Sequence, residues 1–316
     1  MFQRTSVLLC RVERFAQTRT ITNNVGFIGL GNMGSHMANH LAKQGRKLKV
    51  FDVVADAAKS VPGAIVCKTP QEAATDVSVV FTMLPDGNVV KDTVLRNEGI
   101  AKGIKKDALM IDCSTIEPTT AKELHTIAKD NGYRFIDCPV SGGVTGAAAG
   151  TLTYMIGGDI KDVDTARQYL LQAGKNIFHC GGPGAGQVAK LCNNLILGVT
   201  MAGTAESMNM GLKYGLDPKV LTDIINVSTG RSWSSETYNP HPGILPNVPS
   251  SKNYDGGFMV KLIAKDLGLA EGAALAANAP VPMTAAVHQL YRAMMNHGLG
   301  DKDFSVIYQF LQGKKF

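Results

Sequence analysis

The sequence has little of what a disulfide-bonded, metal-binding or membrane-spanning protein needs. Its six cysteines contain no Cys-x-x-Cys pair and no metal-ligand spacing. Most of them lie in apolar runs such as LMIDCS and FIDCPV, where free cysteine behaves as a small hydrophobic residue. No run of about 18 uncharged apolar residues occurs. We therefore expect no disulfide framework, no metal and no membrane span, and we expect a reducing compartment.

Aromatic residues are also scarce, at 6% of the chain, and basic residues form no stripe. The formal net charge is +6, and four arginines and one acidic residue before residue 24 contribute +3 of it (four minus one). A nucleic-acid-binding chain usually interleaves basic and aromatic residues along one surface. A nucleic-acid partner is therefore not expected.

The basic N-terminal segment has the composition of a mitochondrial transit peptide. The stretch MFQRTSVLLCRVERFAQTRTIT is rich in arginine and hydroxyl residues and nearly free of acidic ones. We expect residues 1–23 to direct the chain to the mitochondrial matrix. The alternative is a disordered tail whose arginines occur by chance.

From Asn24 onward, short apolar runs alternate with helical patterns. The predicted strands are VGFIGL, KLKVFD, AIVC, VSVVFTML, ALMIDCST, YRFIDCPV, TLTYMIGG and NIFHCGG. This alternation predicts a parallel sheet covered by helices on both faces. After Gly186 helical periodicity dominates. We therefore predict an α/β protein in which a doubly wound, Rossmann-type dinucleotide-binding domain (24–186) precedes an all-helical domain (187–316). The second domain would form the substrate cleft and the oligomer contacts.

One long segment interrupts the helical half. Residues 230–257 are rich in Pro, Ser, Asn and Gly, and they include the single tryptophan, Trp233. A loop of this length inside a compact domain is usually functional.

A glycine-rich turn after the first strand indicates dinucleotide binding. The G-x-G-x-x-G motif consists of Gly29, Leu30, Gly31, Asn32, Met33 and Gly34. It follows a predicted strand and opens a predicted helix, whose N-terminal amides can bind a pyrophosphate. Asp52 ends the next strand about 20 residues later, where a carboxylate accepts the ribose hydroxyls. No arginine follows in FDVVADAAK to accept a 2′-phosphate, so NAD is favoured over NADP.

Further candidates follow the fourth and fifth strands. Leu84 and Pro85 end the fourth strand, Asn88 opens the next helical pattern, and Ser114 and Thr115 follow the fifth strand. Ligands of open α/β sheets bind at the carboxyl ends of the strands. By position alone these residues could contact the cofactor or merely cap helices.

The sixth strand leads into Ser141, Gly142 and Gly143. A hydroxyl and exposed backbone amides at this sheet edge can bind a small anion such as a carboxylate. The segment could equally be a plain glycine turn.

The stretch GAGQVAKLCNN, residues 184–194, places Lys190 and Asn194 on the same face of a helix. From spacing alone Lys190 could be a salt-bridge partner, a phosphate clamp or a proton acceptor. Alcohol oxidation needs a proton acceptor, and a lysine serves only if its pKa falls well below about 10.4. Burial and a nearby cationic nicotinamide ring both lower that pKa. Asn194 would then orient the amine or the substrate oxygen.

The chain resembles the β-hydroxyacid dehydrogenase family in four segments. They are VGFIGLGNMGSHMA, DCPVSGG, GAGQVAKLCNN and KDLGLA. The resemblance covers essentially the whole chain after the leader. It implies a Rossmann domain followed by a helical domain, in a dimer or tetramer. It also implies that the Ser141-Gly142-Gly143 turn binds substrate and that Lys190 is catalytic, with Asn194 beside it. The cofactor contacts that it implies are the glycine turn, Leu84, Pro85, Asn88, Thr115 and Lys265.

The resemblance implies NAD-dependent oxidation of a small hydroxy acid. The expected reaction converts 3-hydroxyisobutyrate to methylmalonate semialdehyde, a step in valine breakdown. One alternative is an NADPH-dependent reductase of glyoxylate or succinic semialdehyde, against which Asp52 without a following arginine argues. Another is a non-catalytic dinucleotide-binding relative, against which the presence of both Lys190 and Asn194 argues.

Overall fold

The computed structural model describes residues 24–314, so the predicted leader lies outside the described residues. A nine-stranded sheet fills the first half of this part of the chain. The strands are β1 (Asn24–Ile28), β2 (Lys47–Phe51), β3 (Ile65–Val66), β4 (Val79–Thr82), β5 (Leu109–Asp112), β6 (Arg134–Asp137), β7 (Val140–Ser141), β8 (Leu152–Gly157) and β9 (Gly174–Gly181). All eight predicted strands are present, and β7 is additional.

Six parallel strands form the main part of the sheet, in the order β3-β2-β1-β4-β5-β6. The chain moves outward from β1 in one direction and then returns to continue outward from β4 in the other. The carboxyl ends of β1 and β4 therefore flank the switch point, where ligands of such sheets bind. The predicted Rossmann-type arrangement is confirmed.

The far edge of the sheet differs from the predicted all-parallel arrangement. Both β6 and β7 pair antiparallel with β8 in one continuous register, in which Asp137 faces Gly157 and Ser141 faces Thr153. The two segments thus act as one strand interrupted at Pro139, which has no N–H to donate to a ladder. Strand β9 returns parallel to β8. Apolar runs predict strands but not their direction, so the expectation of an all-parallel sheet was wrong here.

Helices cover both faces of the sheet. Because side chains alternate along a strand, Phe27 and Phe81 enter one apolar cluster, whereas Ile28 and Val80 enter the other. Helices α1, α2, α7 and α8 contribute to the first cluster and α3 to α6 to the second. Their bounds are α1 (Gly34–Lys43), α2 (Ala55–Ala58), α3 (Pro70–Ala74), α4 (Gly87–Leu95), α5 (Ile100–Gly103), α6 (Pro118–Asp130), α7 (Gly143–Ala149) and α8 (Ile160–Leu170).

The second half of the chain is helical, as predicted. Helix α9 (Ala185–Lys213) is 29 residues long, and it packs first on β8 and then on the later helices. A separate apolar core contains Met201, Leu267, Tyr291 and Phe304. The remaining helices are α10 (Pro218–Val227), α11 (Trp233–Glu236), α12 (Val260–Ala276), α13 (Pro282–Asn296) and α14 (Ile307–Leu311). The predicted domain boundary at residue 186 falls in the first turn of α9 and stays a prediction.

The 230–257 segment is held against this helical core. It contains α11 and a 3-10 turn at Pro249–Ser251. Buried Asp303, which follows α13, accepts hydrogen bonds from the Tyr238 hydroxyl within the segment (2.9 Å) and from the amide of Phe258, the residue after it (2.8 Å). The segment is therefore fixed at both its middle and its end.

Across residues 24–314, no helix is long and apolar enough to cross a membrane. The same residues contain no cluster of three or more His, Cys, Asp or Glu side chains that could hold a metal ion.

Candidate active site

The glycine turn between β1 and α1 has the shape that a dinucleotide requires. Gly29 adopts a positive φ of 91°, and a side chain there would collide with the carbonyl of Met83. A side chain on Gly34 would collide with the Gly29 carbonyl, so this glycine permits close packing of helix on strand. Gly31 faces open space. The turn therefore leaves room for a pyrophosphate at the start of α1.

Asp52 supports this turn directly. Its carboxylate accepts hydrogen bonds from the amides of Leu30 (2.7 Å) and Val54 (2.8 Å). Each carboxylate oxygen can accept more than one hydrogen bond, so acceptor capacity remains for ribose hydroxyls. The next side chain, Val53, is 84% exposed. Asp52 thus shapes the turn and stands where a ribose-binding carboxylate is expected.

The loops after β4 and β5 are joined to each other. The Ser114 hydroxyl accepts a hydrogen bond from the Leu84 amide (2.9 Å). The helix-cap alternative is wrong for Ser114 and Thr115, because α6 begins after Glu117 and no side chain caps it. Asn88 is not a helix cap either, because Asp86 caps α4 and Asn88 is an exposed residue in the first turn of that helix.

Lys265 connects the helical half to both loops. Its amine donates to the carbonyls of Pro85 (2.9 Å) and Thr115 (2.9 Å) and lies 3.3 Å from the Asp266 carboxylate. Two of the three N–H donors of the ammonium group are used by backbone carbonyls, and its charge is paired with Asp266. Lys265 therefore fixes the edge on which a cofactor would lie, and its direct contact with the cofactor stays a prediction.

Lys190 is buried at the start of α9, with 8% of its surface exposed. Burial lowers the pKa of its amine; the charge of Asp266 opposes this shift, and the charge of Lys265 adds to it. No hydrogen-bond acceptor for the Lys190 amine is found among residues 24–314. Unlike Lys265, it is free to accept a proton from a bound ligand.

Asn194 is held in place one turn further along α9. Its side-chain amide donates to the Asp266 carboxylate at 2.6 Å, and its oxygen accepts from the Asn193 side chain at 3.0 Å. Asp266 is 3% exposed and joins Asn194 to Lys265. Sequence reasoning did not assign a role to Asp266, although it lies in the quoted KDLGLA motif. Its partners are distant in sequence, so periodicity alone does not reveal them.

The first turn of α9 is anchored to the sheet. The Gln187 side chain is fully buried; it accepts from the Ile116 amide (3.1 Å) and donates to the Ser114 carbonyl (2.8 Å). Asp137, at the end of β6, accepts from the amides of Gly184 (2.7 Å) and Gln187 (3.0 Å). These contacts set the direction in which α9, with Lys190 on it, runs away from the sheet. Sequence reasoning missed Gln187, although it lies within GAGQVAKLCNN.

The Ser141-Gly142-Gly143 turn lies at the end of β7. Gly142 and Gly143 are exposed and have positive φ values of 136° and 61°, which fit glycine. Val144, the next residue, lines a cavity of about 520 Å³, within the size range of ligand pockets. The glycine turn lines it too, through Asn32. The full lining is Asn32, Val144, Gly256, Gly257, Met259, Lys261 and Asp301.

The structure therefore groups the predicted residues in two places. Lys190, Asn194 and Lys265 cluster around Asp266, against the loops that carry Pro85 and Thr115. Asn32 of the first glycine turn and Val144, which follows the Ser141-Gly142-Gly143 turn, line the cavity between the sheet and the helical half. Within the described chain, no direct contact joins the Ser141 side chain to Lys190.

Comparison with known proteins agrees with this architecture. A family model described as the NAD-binding domain of 6-phosphogluconate dehydrogenase matches residues 24–182. A second, described as the NAD-binding domain of NADP-dependent 3-hydroxyisobutyrate dehydrogenase, matches residues 184–311. The chain combines a dinucleotide-binding fold with a buried lysine amine on the helix that links its two halves. Together with the family models, these features define the class: the chain is a dehydrogenase, an oxidoreductase that uses a nicotinamide dinucleotide.

Full-length relatives narrow this class. The chain is 46% identical over 305 residues to a mitochondrial 3-hydroxyisobutyrate dehydrogenase from Drosophila melanogaster, covering 96% of this chain and 94% of the relative. It is 46% identical over 285 residues to an NAD-dependent L-serine dehydrogenase from Pseudomonas aeruginosa, covering 90% and 96%. The solved structure of Mycobacterium tuberculosis 3-hydroxyisobutyrate dehydrogenase with L-serine superimposes with a TM-score of 0.86 at 39% identity, covering 91% and 98%. The chain belongs to the β-hydroxyacid dehydrogenase family.

Proposed function

We propose that this enzyme oxidises 3-hydroxyisobutyrate to methylmalonate semialdehyde with NAD, a step in valine breakdown. The observation that carries the proposal is the Lys190 amine, whose pKa is lowered by burial and which has no hydrogen-bond acceptor among residues 24–314. The Drosophila relative and the mycobacterial structure, both named as 3-hydroxyisobutyrate dehydrogenases, support the substrate. The reductase alternative is not favoured by these relatives.

Each residue of the site has its own role in the proposed reaction. The nicotinamide of NAD, when bound, would supply the acceptor for the hydride of the hydroxyl-bearing carbon. Neutral Lys190 accepts the hydroxyl proton, so the carbon–oxygen bond becomes a carbonyl as both hydrogens leave. Asn194, oriented by Asp266, holds the reacting oxygen rather than the amine, to which it makes no hydrogen bond in the described chain. The Ser141 hydroxyl and the amides of the following glycines bind the substrate carboxylate.

The side chains that follow β2 support a preference for NAD over NADP. The Asp52 carboxylate would repel a 2′-phosphate, and the exposed side chains that follow it, Val53 and Val54, offer no positive charge. The family model over residues 184–311 is named for an NADP-dependent enzyme. The proposed preference therefore rests on Asp52 and its neighbours, not on the family.

L-serine is the second candidate substrate, because one relative is named as an L-serine dehydrogenase and the mycobacterial structure was solved with L-serine. Serine shares the carboxylate and the 3-hydroxyl group with 3-hydroxyisobutyrate and replaces its methyl group with an ammonium. The proposed roles of Ser141 and Lys190 apply to either compound. A substrate panel separates the two: kcat/KM should be higher for 3-hydroxyisobutyrate, and a higher value for L-serine would reverse the assignment.

The same panel, run with NAD and NADP on the wild type and Lys190→Met, tests the proposed function. Loss of the proton acceptor should reduce kcat by about 10²–10⁴-fold. Substantial turnover by the variant would contradict the role of Lys190. A preference for NADP with glyoxylate would contradict the substrate and cofactor assignments.

We also propose that the enzyme works as a homo-oligomer in the mitochondrial matrix. The location is supported by the composition of residues 1–23 and by the mitochondrial name of the Drosophila relative. Fusion of those residues to a fluorescent protein should direct it to mitochondria, and replacing their arginines with glutamine should leave the fusion in the cytosol.

A further inference from the structure

We propose that Lys261 is a cofactor-binding residue that reaches from the helical half to the pyrophosphate of the dinucleotide. The inference rests on dinucleotide binding at the glycine turn, which the family membership supports. It adds a charged contact from the opposite wall of the cavity.

Lys261 and the glycine turn line the same cavity. On one side lies Asn32, within the turn; on the other lie Lys261, in the first turn of α12, and the adjoining Met259. The cavity of about 520 Å³ has room for part of a dinucleotide. A flexible ammonium group on the far wall therefore faces the space in which the pyrophosphate would lie.

The glycine turn itself supplies no cation. Its residues, GLGNMG, offer only backbone amides and neutral side chains, whereas each phosphate of the pyrophosphate carries a negative charge. The Lys265 amine is already held by the carbonyls of Pro85 and Thr115, and its charge is paired with the buried Asp266 carboxylate at 3.3 Å. Lys261 has no such commitment to the sheet. It is the cavity-lining residue that can provide a charge-assisted hydrogen bond to phosphate.

In the structure the Lys261 amine is paired with Asp301 at a distance of 2.6 Å. The two side chains are 48% and 85% exposed, so water weakens the pair and exchange for another anion is inexpensive. The backbone of Lys261 is fixed independently, because its amide donates to the Gly300 carbonyl (3.0 Å). The side chain can therefore leave Asp301 for a phosphate without disturbing α12.

The same cavity also touches Val144, beside the proposed carboxylate site. The substrate carboxylate is thus a second anion that Lys261 could meet. ADP-ribose separates the two sources, because it carries the pyrophosphate but lacks both the nicotinamide and the substrate. Its binding can be measured by calorimetry without any turnover.

The test compares ADP-ribose affinity in wild type, Lys261→Met, Lys261→Arg and Asp301→Asn. Lys261→Met should weaken binding about five- to tenfold, and Lys261→Arg should restore it to within about twofold of wild type. Asp301→Asn should tighten binding, because it removes the competing anion. The loss in Lys261→Met should shrink between about 50 and 300 mM salt, as screening increases.

Lys105→Met is the matched control. Lys105 pairs with Asp76 at 3.0 Å, with 56% and 69% exposure, just before the strands at the amino edge of the sheet. Its loss should leave ADP-ribose affinity unchanged.

Wild-type affinity in Lys261→Met would overturn the inference while leaving the proposed function intact. If Lys261→Met kept its ADP-ribose affinity but had a raised KM for the hydroxy acid, Lys261 would bind the substrate carboxylate instead. That result would also overturn the inference. If Asp301→Asn weakened binding as much as Lys261→Met, the pair would be structural and the inference would fail. If the wild type itself did not bind ADP-ribose, dinucleotide binding at the glycine turn would be contradicted. The inference would then fail together with the proposed function.

Discussion

At the scale of single residues, the proposed reaction depends on which lysine amine has no hydrogen-bond partner. Lys190 and Lys265 both lie near Asp266, but Lys265 donates to two backbone carbonyls, whereas Lys190 has no acceptor in the described chain. Burial keeps the Lys190 amine closer to neutrality, and Asp266 limits that effect. One amine can therefore accept a proton while the other holds two loops together.

The opposing effect of Asp266 gives a pH-dependence prediction. Oxidation should speed up with rising pH as Lys190 loses its proton, because only the neutral amine accepts one. Asp266 raises the pKa of Lys190, so Asp266→Asn should lower that pKa and shift the rising limb of kcat/KM toward lower pH. Asp255→Asn, which replaces an exposed acid paired with Lys302, is the control. A shift toward higher pH in Asp266→Asn would contradict the assigned electrostatics.

We expect single side chains to decide the choice between NAD and NADP as well. Replacing Asp52 with Asn and Val53 with Arg removes the charge that repels a 2′-phosphate and adds one that attracts it. The ratio of kcat/KM for NADP to that for NAD should rise by about two orders of magnitude. Asp56→Asn, an exposed acid in α2, is the control. An unchanged ratio in the double variant would show that Asp52 does not select the cofactor.

At the scale of elements, α9 matters because its first turn joins the two halves. A side chain on Gly186, in that turn, would collide with the Asp137 carboxylate, and Gln187 bonds to the loop after β5. The helix and its face were predictable from the spacing of Lys190 and Asn194. Gln187 was not, because its role depends on Ser114 and Ile116, about 70 positions earlier in the chain. The same limit applies to the direction of β8, which apolar runs do not encode.

Gln187→Leu tests this anchor. It would leave a buried amide at Ile116 and a buried carbonyl at Ser114 without partners, which should cost about 2–4 kcal/mol of unfolding free energy. Because the displaced helix also carries Lys190, kcat should fall by more than any loss of folded protein explains. Gln168→Leu, an exposed substitution on α8, is the control. Wild-type stability and activity in Gln187→Leu would contradict the anchoring role.

At the scale of the whole molecule, the two predicted halves and their order are found, and the glycine turn faces the helical half across one cavity. Sequence patterns predicted both halves because each has its own periodicity. Contacts between distant residues were not predictable: the bonds from Lys265 to Pro85 and Thr115 join the two halves, and the Asn194–Asp266 and Lys261–Asp301 contacts lie within the helical half. Resemblance to the family supplied Lys265, which periodicity alone placed in an ordinary amphipathic helix.

The helical half also leaves apolar side chains exposed, which supports self-association. Ile196, Met210 and Tyr214 are exposed along α9, and Ile224 is exposed on α10. Light scattering should give a dimer or tetramer for the wild type, and Ile196→Asp combined with Met210→Asp should reduce it to a monomer. Ile160→Asp, at an equally exposed site on α8, is the control. A monomeric wild type would contradict the oligomer.

The most direct measurement of the central claim is chemical rescue of Lys190→Ala by small primary amines. Removing the side chain leaves space beside Asn194 and Asp266 that methylamine or ethylamine can enter. We expect the variant to be nearly inactive and added amine to restore NADH formation in proportion to the concentration of its unprotonated form. Activity of Lys190→Ala without added amine, or rescue that follows the protonated form, would contradict the assignment of Lys190 as the proton acceptor.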